Sequence, residues 1–150
     1  MKIAAPLALA LVFGSLSAPA SAQFQRPDDA VKYRKAALTV MSNHFGRIGA
    51  MANGRAPFDA KAAAESAAIV ETMSKLPWEG FVAGTDKGDT RALPKIWTEQ
   101  AKFNEAAERL QADTAKLNAA AKTGNLDAIK TAFGATGQSC KACHDAYRKD

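Results

Sequence analysis

The chain has 150 residues, a formal net charge of +5 at pH 7, two cysteines and two histidines. Its lysines and arginines are dispersed rather than grouped in a block, so the sequence carries neither a nucleic-acid footprint nor a basic membrane patch. Alanine is abundant, and no stretch alternates apolar and polar residues over the length of a strand. This pattern predicts an all-α fold.

Residues 1–22 are typical of a secretory signal peptide. Lys2 precedes an apolar run that ends at Leu16, and the segment "SAPASA" then supplies an A-x-A cleavage pattern before Gln23. The run is shorter than the roughly 18 apolar residues needed to span a bilayer, which counts against the alternative of a membrane anchor. We therefore expect cleavage before Gln23, export to a bacterial periplasm, and a single mature domain over residues 23–150.

The first predicted helix follows Pro27, with Asp28 or Asp29 as its N-cap. Its apolar positions recur at spacings of three or four residues, which indicates one face towards a core. Those positions are Val31, Arg34, Leu38, Met41, Phe45 and Ile48. Arg34 is the exception in this set, because a cation is unexpected at a core-facing position.

The second predicted helix is capped by Asp59 and runs to about Leu76, where Pro77 ends it. Its inner face is expected to hold Ser66, Ile69, Met73 and Leu76. A Gly-rich loop of roughly fifteen residues follows and contains Trp78 and Phe81. A loop of this length within a compact domain generally covers or contacts something.

The third predicted helix starts near Pro94 and ends before Gly124, and the fourth starts at about Asn125. The third carries Ile96, Phe103, Leu110 and Leu117 one heptad apart, and the fourth carries on its inner face Ile129, Phe133, Thr136, Cys140, Cys143 and Tyr147. Four such helices predict an antiparallel up-down-up-down four-helix bundle. Because many core-facing positions hold small residues, the core would be underfilled on its own, which leaves room for a large apolar guest.

The segment "CKACH" places Cys140, Cys143 and His144 on about 100° of one helix face. Two thiols one turn apart can bond covalently to two vinyl groups on one edge of a porphyrin, and the adjacent imidazole can then reach the iron. The spacing therefore predicts one covalently attached haem c, with His144 as the iron ligand.

Three other interpretations of the cysteines compete with haem attachment. A redox-active disulfide is expected beside a βαβ unit, and no strand is predicted in this chain. A structural zinc site needs about four ligands, and the only further histidine or cysteine is His44. If the two cysteines were merely structural, the adjacent His144 would be unexplained. This interpretation would also ignore the expected export to a compartment in which haem is attached covalently. Haem attachment is therefore the favoured interpretation.

No methionine downstream of the motif can close the other face of the iron, because all four methionines precede it. With this arrangement the chain resembles the cytochromes c′, the class II c-type cytochromes. The resemblance is carried by "DDAVKYRKAALTVMSNHFGR" near the start, "LPWEGF" in the middle and "CKACHDAYRK" at the end. A C-terminal attachment motif combined with an arginine in the first helix is more specific than the motif alone.

The resemblance implies roles for residues of the first helix. Arg34 matches the family's arginine close to a haem propionate, and the alternative is a surface arginine with a buried stem. Leu38 matches the position over the open iron face, which is a methionine in six-coordinate relatives. Leucine has no lone pair to donate, so the resemblance implies five-coordinate iron. Met41, one turn further on, is the competing ligand, and His44 is interpreted as a surface or interface histidine.

The resemblance also implies roles near the end of the chain. Arg148, four residues after His144 and expected on the same helix face, matches the basic residue that the family places beside the proximal histidine. The alternative is an exposed arginine in a fraying last turn. Trp78 and Phe81 are interpreted as aromatic residues at the haem edge or in the core, and Tyr147 as a packing residue.

We expect a non-enzymatic, gas-binding cytochrome whose apolar pocket favours NO and CO over O₂. The resemblance adds NO binding and protection in the periplasm, with electron transfer also proposed, and a homodimer through the first two helices. Ala37, Val40 and Ala50 lie off the core-facing stripe and lend that dimer weak support. The alternative is a six-coordinate, Met-ligated electron carrier with an unknown periplasmic redox partner. An enzyme is the least favoured class, because no acid–base pair accompanies the haem; slow NO turnover is left open.

Overall fold

The structure is a computed structural model that describes residues 23–149. The signal peptide predicted over residues 1–22 lies outside the described residues. The elements are α1 (Pro27–Ala52), α2 (Ala60–Met73), a 3-10 turn (Pro77–Gly80), α3 (Lys95–Thr98), α4 (Gln100–Lys122) and α5 (Leu126–Tyr147). The four long helices α1, α2, α4 and α5 form the predicted antiparallel bundle.

The predicted N-cap of α1 is wrong. The N-cap is Arg26, whose side chain makes no capping hydrogen bond, and Pro27 occupies the first turn. Proline suits this position because its ring fixes φ and its missing N–H would have no helical partner. Asp29 instead accepts two hydrogen bonds from the Arg26 guanidinium, at 2.8 and 2.9 Å. The ion pair therefore replaces an aspartate cap.

The predicted cap of α2 is confirmed, whereas its predicted inner face is right only in part: Ser66 is buried and Met73 packs against the core. Asp59 Oδ1 accepts a hydrogen bond of 3.0 Å from the Ala62 amide. The helix ends at Met73 rather than at Leu76, and its buried residues are Ala63, Ser66, Ala67 and Val70. Ile69 is only half-buried. Alanines recur around this helix, so the apolar spacing does not distinguish between neighbouring faces.

The third predicted helix is divided at Glu99, where φ is −120° and ψ is 40°. Its first turn becomes the separate helix α3. Trp97 Nε1 donates hydrogen bonds of 3.1 Å to the carbonyl oxygens of Phe81 and Val82, and Ile96 is buried. The two hydrogen bonds tie α3 to the preceding loop, so α3 does not continue into α4. Helical periodicity contains no signal of these hydrogen bonds.

The turn between α4 and α5 follows the sequence-based prediction. Gly124 has a φ of 68°, a conformation that glycine adopts without strain. Asn125 caps α5, because its Oδ1 accepts hydrogen bonds of 2.9 and 3.0 Å from the amides of Asp127 and Ala128. Both predicted boundary residues are confirmed.

An apolar core joins the four long helices. Ile48 of α1, Val70 of α2, Leu117 of α4 and Ile129 of α5 are each at most 1% exposed. Burial of an aliphatic side chain of this size stabilises a fold by about 1.5 to 3 kcal/mol. This cluster therefore forms a single hydrophobic core that holds the four helices together. Within residues 23–149, no helix combines the length and the apolar character of a membrane span.

Gly49 allows α1 and α5 to approach closely. A Cβ atom at Gly49 would lie 2.7 Å from Phe133 Cζ, closer than normal van der Waals contact. The Phe133 ring stacks on Phe45, with ring centroids 4.3 Å apart. Phe45 also lines the cavity described below, so this close approach fixes one wall of that cavity.

Gly49→Ala is expected to lower the free energy of unfolding by about 1 to 3 kcal/mol, the usual effect of overpacking a core. Gly46→Ala is the matched control on the same helix, because nothing lies within 4 Å of its added Cβ. There, alanine is expected to raise the free energy of unfolding by about 0.5 to 1 kcal/mol through helix propensity. Urea unfolding followed by circular dichroism measures both values, and equal effects would contradict the close contact.

Candidate functional site

One cavity brings together all the residues that the sequence singled out for cofactor binding. Its volume is about 580 Å³, within the range of about 300 to 1,000 Å³ that is typical of cofactor sites. Most of its wall comes from α1, α4 and α5, and the segment between α2 and α3 supplies much of the rest, with single residues from α2 and α3. The predicted residues that line it are Arg34, Leu38, Trp78, Phe81, Cys140, Cys143, His144 and Arg148.

Cys140 and Cys143 lie one turn apart on α5 with half-buried side chains. They form no disulfide with each other. Burial raises the pKa of Cys143 to about 11, with a further contribution from Cys140, and burial also raises the pKa of Cys140. These surroundings favour the protonated form of an unattached thiol, which disfavours thiolate redox chemistry.

The surroundings of the two thiols bear on the alternatives to haem attachment. No group of three or more histidine, cysteine, aspartate or glutamate side chains in residues 23–149 is arranged to hold a metal ion, so the zinc interpretation gains no support. Instead, the thiols share one large, mainly apolar cavity with His144. Two thiols, one imidazole and a large apolar volume are what a porphyrin attached in this way requires. The residues present therefore fit a haem c.

His144 lies at the cavity wall, directly after Cys143. Its pKa is lowered from the usual histidine value, first by partial desolvation and then by the positive charges of Arg148 and Arg91. The neutral imidazole favoured by this shift is the form that binds iron. Arg148 Nη1 lies 3.4 Å from His144 Nδ1, which leaves Nε2 as the ring nitrogen available to a metal.

Arg148 is the C-cap residue of α5. α5 ends at Tyr147, and Arg148 has an extended backbone with φ −126° and ψ 138°. Its amide nevertheless donates the last helical hydrogen bond, of 3.1 Å, to His144 O, and its side chain meets that of His144 as expected. Arg148 is exposed, but the alternative of a fraying last turn is wrong, because Arg148 pairs with Ala92 in an antiparallel β-bridge.

Arg34 is buried, with 2% of its surface exposed, so the alternative of a surface arginine is wrong. Its Nη1 donates to Gly80 O at 2.9 Å and to Thr85 Oγ1 at 2.7 Å. Its Nη2 donates to Thr85 O and to Thr90 Oγ1, both at 2.7 Å. The Phe81 ring lies 4.4 Å from the guanidinium carbon, within cation–π distance.

The charge of Arg34 has no counter-charge among these acceptors, because all four oxygens are neutral. Burial lowers the pKa of Arg34, yet a guanidinium stays protonated in proteins. A buried cation at the wall of a cofactor cavity is a favourable neighbour for an acidic group of the cofactor. The arrangement is therefore compatible with the role that the resemblance implies for Arg34.

The face of α1 towards the cavity carries Leu38 and Met41. Leu38 is half-buried. Met41 is 7% exposed and also packs into the apolar core. His44 is half-buried, is not among the residues that line the cavity, and its buried Nδ1 has no hydrogen-bond partner within residues 23–149.

Trp78 and Phe81 form an aromatic cluster at the cavity wall. Their ring centroids lie 5.6 and 4.9 Å from that of Phe103, which in turn lies 5.2 Å from that of Tyr147. Trp78 Nε1 donates to the Ser74 carbonyl at 2.6 Å, so its polar group is satisfied. The cluster joins the loop after α2 to α4 and to the end of α5.

Three loop residues of the site were not predicted from the sequence. Thr85 is completely buried beneath Arg34, and Thr90 and Arg91 line the cavity. The segment that holds them has no apolar periodicity from which to place them. A signal was nevertheless present: a core-facing arginine needs several acceptors, and the loop was expected to cover something.

Comparison with known proteins agrees with this geometry. The family model "Cytochrome C'" matches residues 29–148. The cytochrome c' of Rubrivivax gelatinosus is 53% identical over 128 residues, which cover 85% of this chain and 99% of the relative. The crystal structure of cytochrome c' from Rubrivivax gelatinosus has a TM-score of 0.82 at 53% identity. The match covers 85% of this chain and 100% of that chain. A nitric oxide complex of a leucine-to-alanine mutant of cytochrome c prime from Alcaligenes xylosoxidans has a TM-score of 0.79 at 47% identity, with 85% of this chain and 99% of that chain covered. The chain therefore belongs to the cytochrome c′ family, and it carries one haem c bonded covalently to Cys140 and Cys143.

Proposed function

We propose that the protein binds NO and CO in preference to O₂ at a five-coordinate haem. His144 is the single protein ligand of the iron, and Leu38 covers the opposite face. Ferrous haem supplies an open coordination position that takes NO and CO without further help, whereas O₂ is held well only beside a hydrogen-bond donor. The selectivity therefore depends on whether the cavity wall has a hydrogen-bond donor next to that position.

The serine and threonine hydroxyl groups that α1, α4 and α5 present to the cavity support this selectivity. Those hydroxyls belong to Thr39, Ser42, Thr114 and Thr136. Each donates to a backbone carbonyl of its own helix at 2.7 to 3.0 Å. A hydroxyl has one proton to donate, so none of the four has a proton left for bound O₂. This is the observation on which the proposal depends.

The surroundings of His144 support a weak bond to the iron. Metal-binding histidines usually donate the other ring N–H to a carboxylate or a carbonyl, which raises the basicity of the ligand. Here Nδ1 faces the Arg148 guanidinium at 3.4 Å, which has no acceptor atom. An imidazole with this neighbour donates less charge to the metal. The nitric oxide complex of the Alcaligenes xylosoxidans protein supports NO as a ligand for this chain.

Absorption spectra of the purified holoprotein test the proposal. We expect high-spin spectra in the oxidised and in the reduced form, and a new ligand-bound spectrum when CO or NO is added to the reduced form. O₂ at the same concentration should only convert the reduced spectrum to the oxidised one, with no O₂ complex. A sharp low-spin spectrum with a methionine–iron charge-transfer band would contradict the proposal, and so would a stable O₂ complex.

The alternative function, a six-coordinate electron carrier, would use Met41 as the second ligand. We expect Met41→Leu to leave the absorption spectrum unchanged and to alter the free energy of unfolding by less than about 1.5 kcal/mol, as volume-conserving core substitutions do. Met73→Leu is the control, because Met73 packs against the core but does not line the cavity. A low-spin spectrum that becomes high-spin only in Met41→Leu would favour the electron carrier.

We also propose that the protein is exported, dimeric and non-enzymatic. The signal-peptide pattern in residues 1–22 supports export to a periplasm. Val40 on α1 is 40% exposed, which supports a homodimer formed through α1 and α2. The carboxylate that lines the cavity, Asp89, is exposed and paired with Lys35 at 2.5 Å. A carboxylate in this state is a poor general base, so binding of NO is favoured over its turnover.

A further inference from the structure

A series of contacts connects α1, on one side of the cavity, with His144 on the other. Arg34 Nη2 donates to Thr90 Oγ1 at 2.7 Å. The same oxygen accepts a hydrogen bond of 3.1 Å from the Ala92 amide. Ala92 forms the β-bridge with Arg148, and the Arg148 guanidinium lies 3.4 Å from His144 Nδ1. One hydroxyl oxygen therefore joins the anchor on α1 to the strand-like segment that carries Arg148.

The β-bridge holds the backbone of Arg148 on both sides. Leu93 N donates to Tyr147 O at 3.0 Å, and Lys149 N donates to Arg91 O at 2.8 Å. Arg91 Nε also donates to Lys149 O at 3.0 Å. These three bonds fix the position from which the exposed Arg148 side chain extends. Without them, a long arginine side chain beyond the end of a helix would lose the contact to conformational entropy.

We propose that Thr90 is a positioning residue for the proximal contact: by joining Arg34 to the bridge between Ala92 and Arg148, it holds Arg148 against His144. The inference rests on the proposed role of His144 as the iron ligand. It implies that the loop before α3 does more than cover the cavity. It couples the helix that carries Leu38 to the ligand on the opposite face.

The structure suggests a precise substitution at the centre of this link. Thr90→Val keeps the branched shape of the side chain and removes only the oxygen that accepts from Arg34 and Ala92. Arg34 retains three of its four hydrogen bonds, to Gly80 and Thr85, so the loop stays attached to α1. Thr131→Val is the matched control, because Thr131 is exposed and its hydroxyl bonds only to its own helix, at Asp127 O.

The proximal contact is measured by the iron–histidine stretching band in the resonance Raman spectrum of the reduced protein. We expect Thr90→Val to shift this band in the same direction as Arg148→Met and by a smaller amount. In the double variant the shift should equal that of Arg148→Met alone, because Thr90 acts only through Arg148. Thr131→Val should leave the band in place. No shift in Thr90→Val, no shift in Arg148→Met, or an additive shift in the double variant would overturn the proposal.

Amide hydrogen exchange in the reduced, CO-saturated protein provides a second measurement that needs no iron–histidine band. The amides of Leu93 and Lys149 should lose about two- to tenfold in protection in Thr90→Val, the usual effect of one lost hydrogen bond, while core amides keep theirs. Unchanged protection at both amides would overturn the positioning role. If the absorption spectrum shows low-spin iron while these amides lose protection, the proposed function fails and the link between Thr90 and the bridge stands.

Discussion

Leu38→Ala is expected to raise the rate of CO association with the reduced protein by roughly 10- to 150-fold. Leu38 lines the cavity and packs against the apolar core, so a ligand that enters on this side must displace it. Burying a leucine side chain is worth about 1.5 to 3 kcal/mol, and each 1.4 kcal/mol corresponds to about a factor of ten. In the wild-type protein, only the fraction of molecules with Leu38 displaced can bind CO.

Flash photolysis of the CO complex measures the association rate in Leu38→Ala and in a control variant. Val40→Ala removes a similar amount of hydrocarbon from the same helix, at a side chain that is 40% exposed and does not line the cavity. Its association rate should match that of the wild type. Association at the wild-type rate in Leu38→Ala, or an equal acceleration in both variants, would show that Leu38 does not cover the iron.

The features of the site that the sequence predicted correctly are those set by local geometry. Cys140, Cys143 and His144 share a helix, and the helical repeat alone places them on one face. The boundary at Gly124 and Asn125 depends on backbone conformation and capping, which act over a few residues. Local rules of this kind can be applied to a single chain without any knowledge of what packs against it.

The features that the sequence did not predict depend on contacts between distant segments. Arg148 lies beside His144 as expected, but its extended backbone and its pairing with Ala92, more than fifty residues earlier, were not predicted. The break at Glu99 has the same origin, since Trp97 bonds back to the loop after α2. Tertiary contacts override local preference in both places. Both lie where the loop closes the cavity.

Arg34→Met is expected to lower the free energy of unfolding by about 3 kcal/mol or more. Methionine fills a similar volume but leaves the carbonyl oxygens of Gly80 and Thr85 without their donor, whereas Thr90 Oγ1 keeps the Ala92 amide. Each buried polar group left unpaired costs about 1 to 3 kcal/mol, while the relief of the buried charge offsets part of the loss. Guanidinium unfolding of the holoprotein measures the change.

Two companion variants separate the hydrogen-bonding role of Arg34 from its charge. Arg47→Met, at an exposed arginine on the same helix, should change stability by less than about 0.5 kcal/mol. Arg34→Lys keeps the positive charge but lacks the planar fork that reaches four acceptors, so it should lose most of the stability that Arg34→Met loses.

The midpoint potential of the haem should fall in Arg34→Met, because loss of a nearby positive charge favours oxidised iron. It should stay close to the wild-type value in Arg34→Lys. A potential that is unchanged in Arg34→Met would place the guanidinium too far from the haem to pair with its acidic groups, and wild-type stability in that variant would show that the loop is held by other contacts.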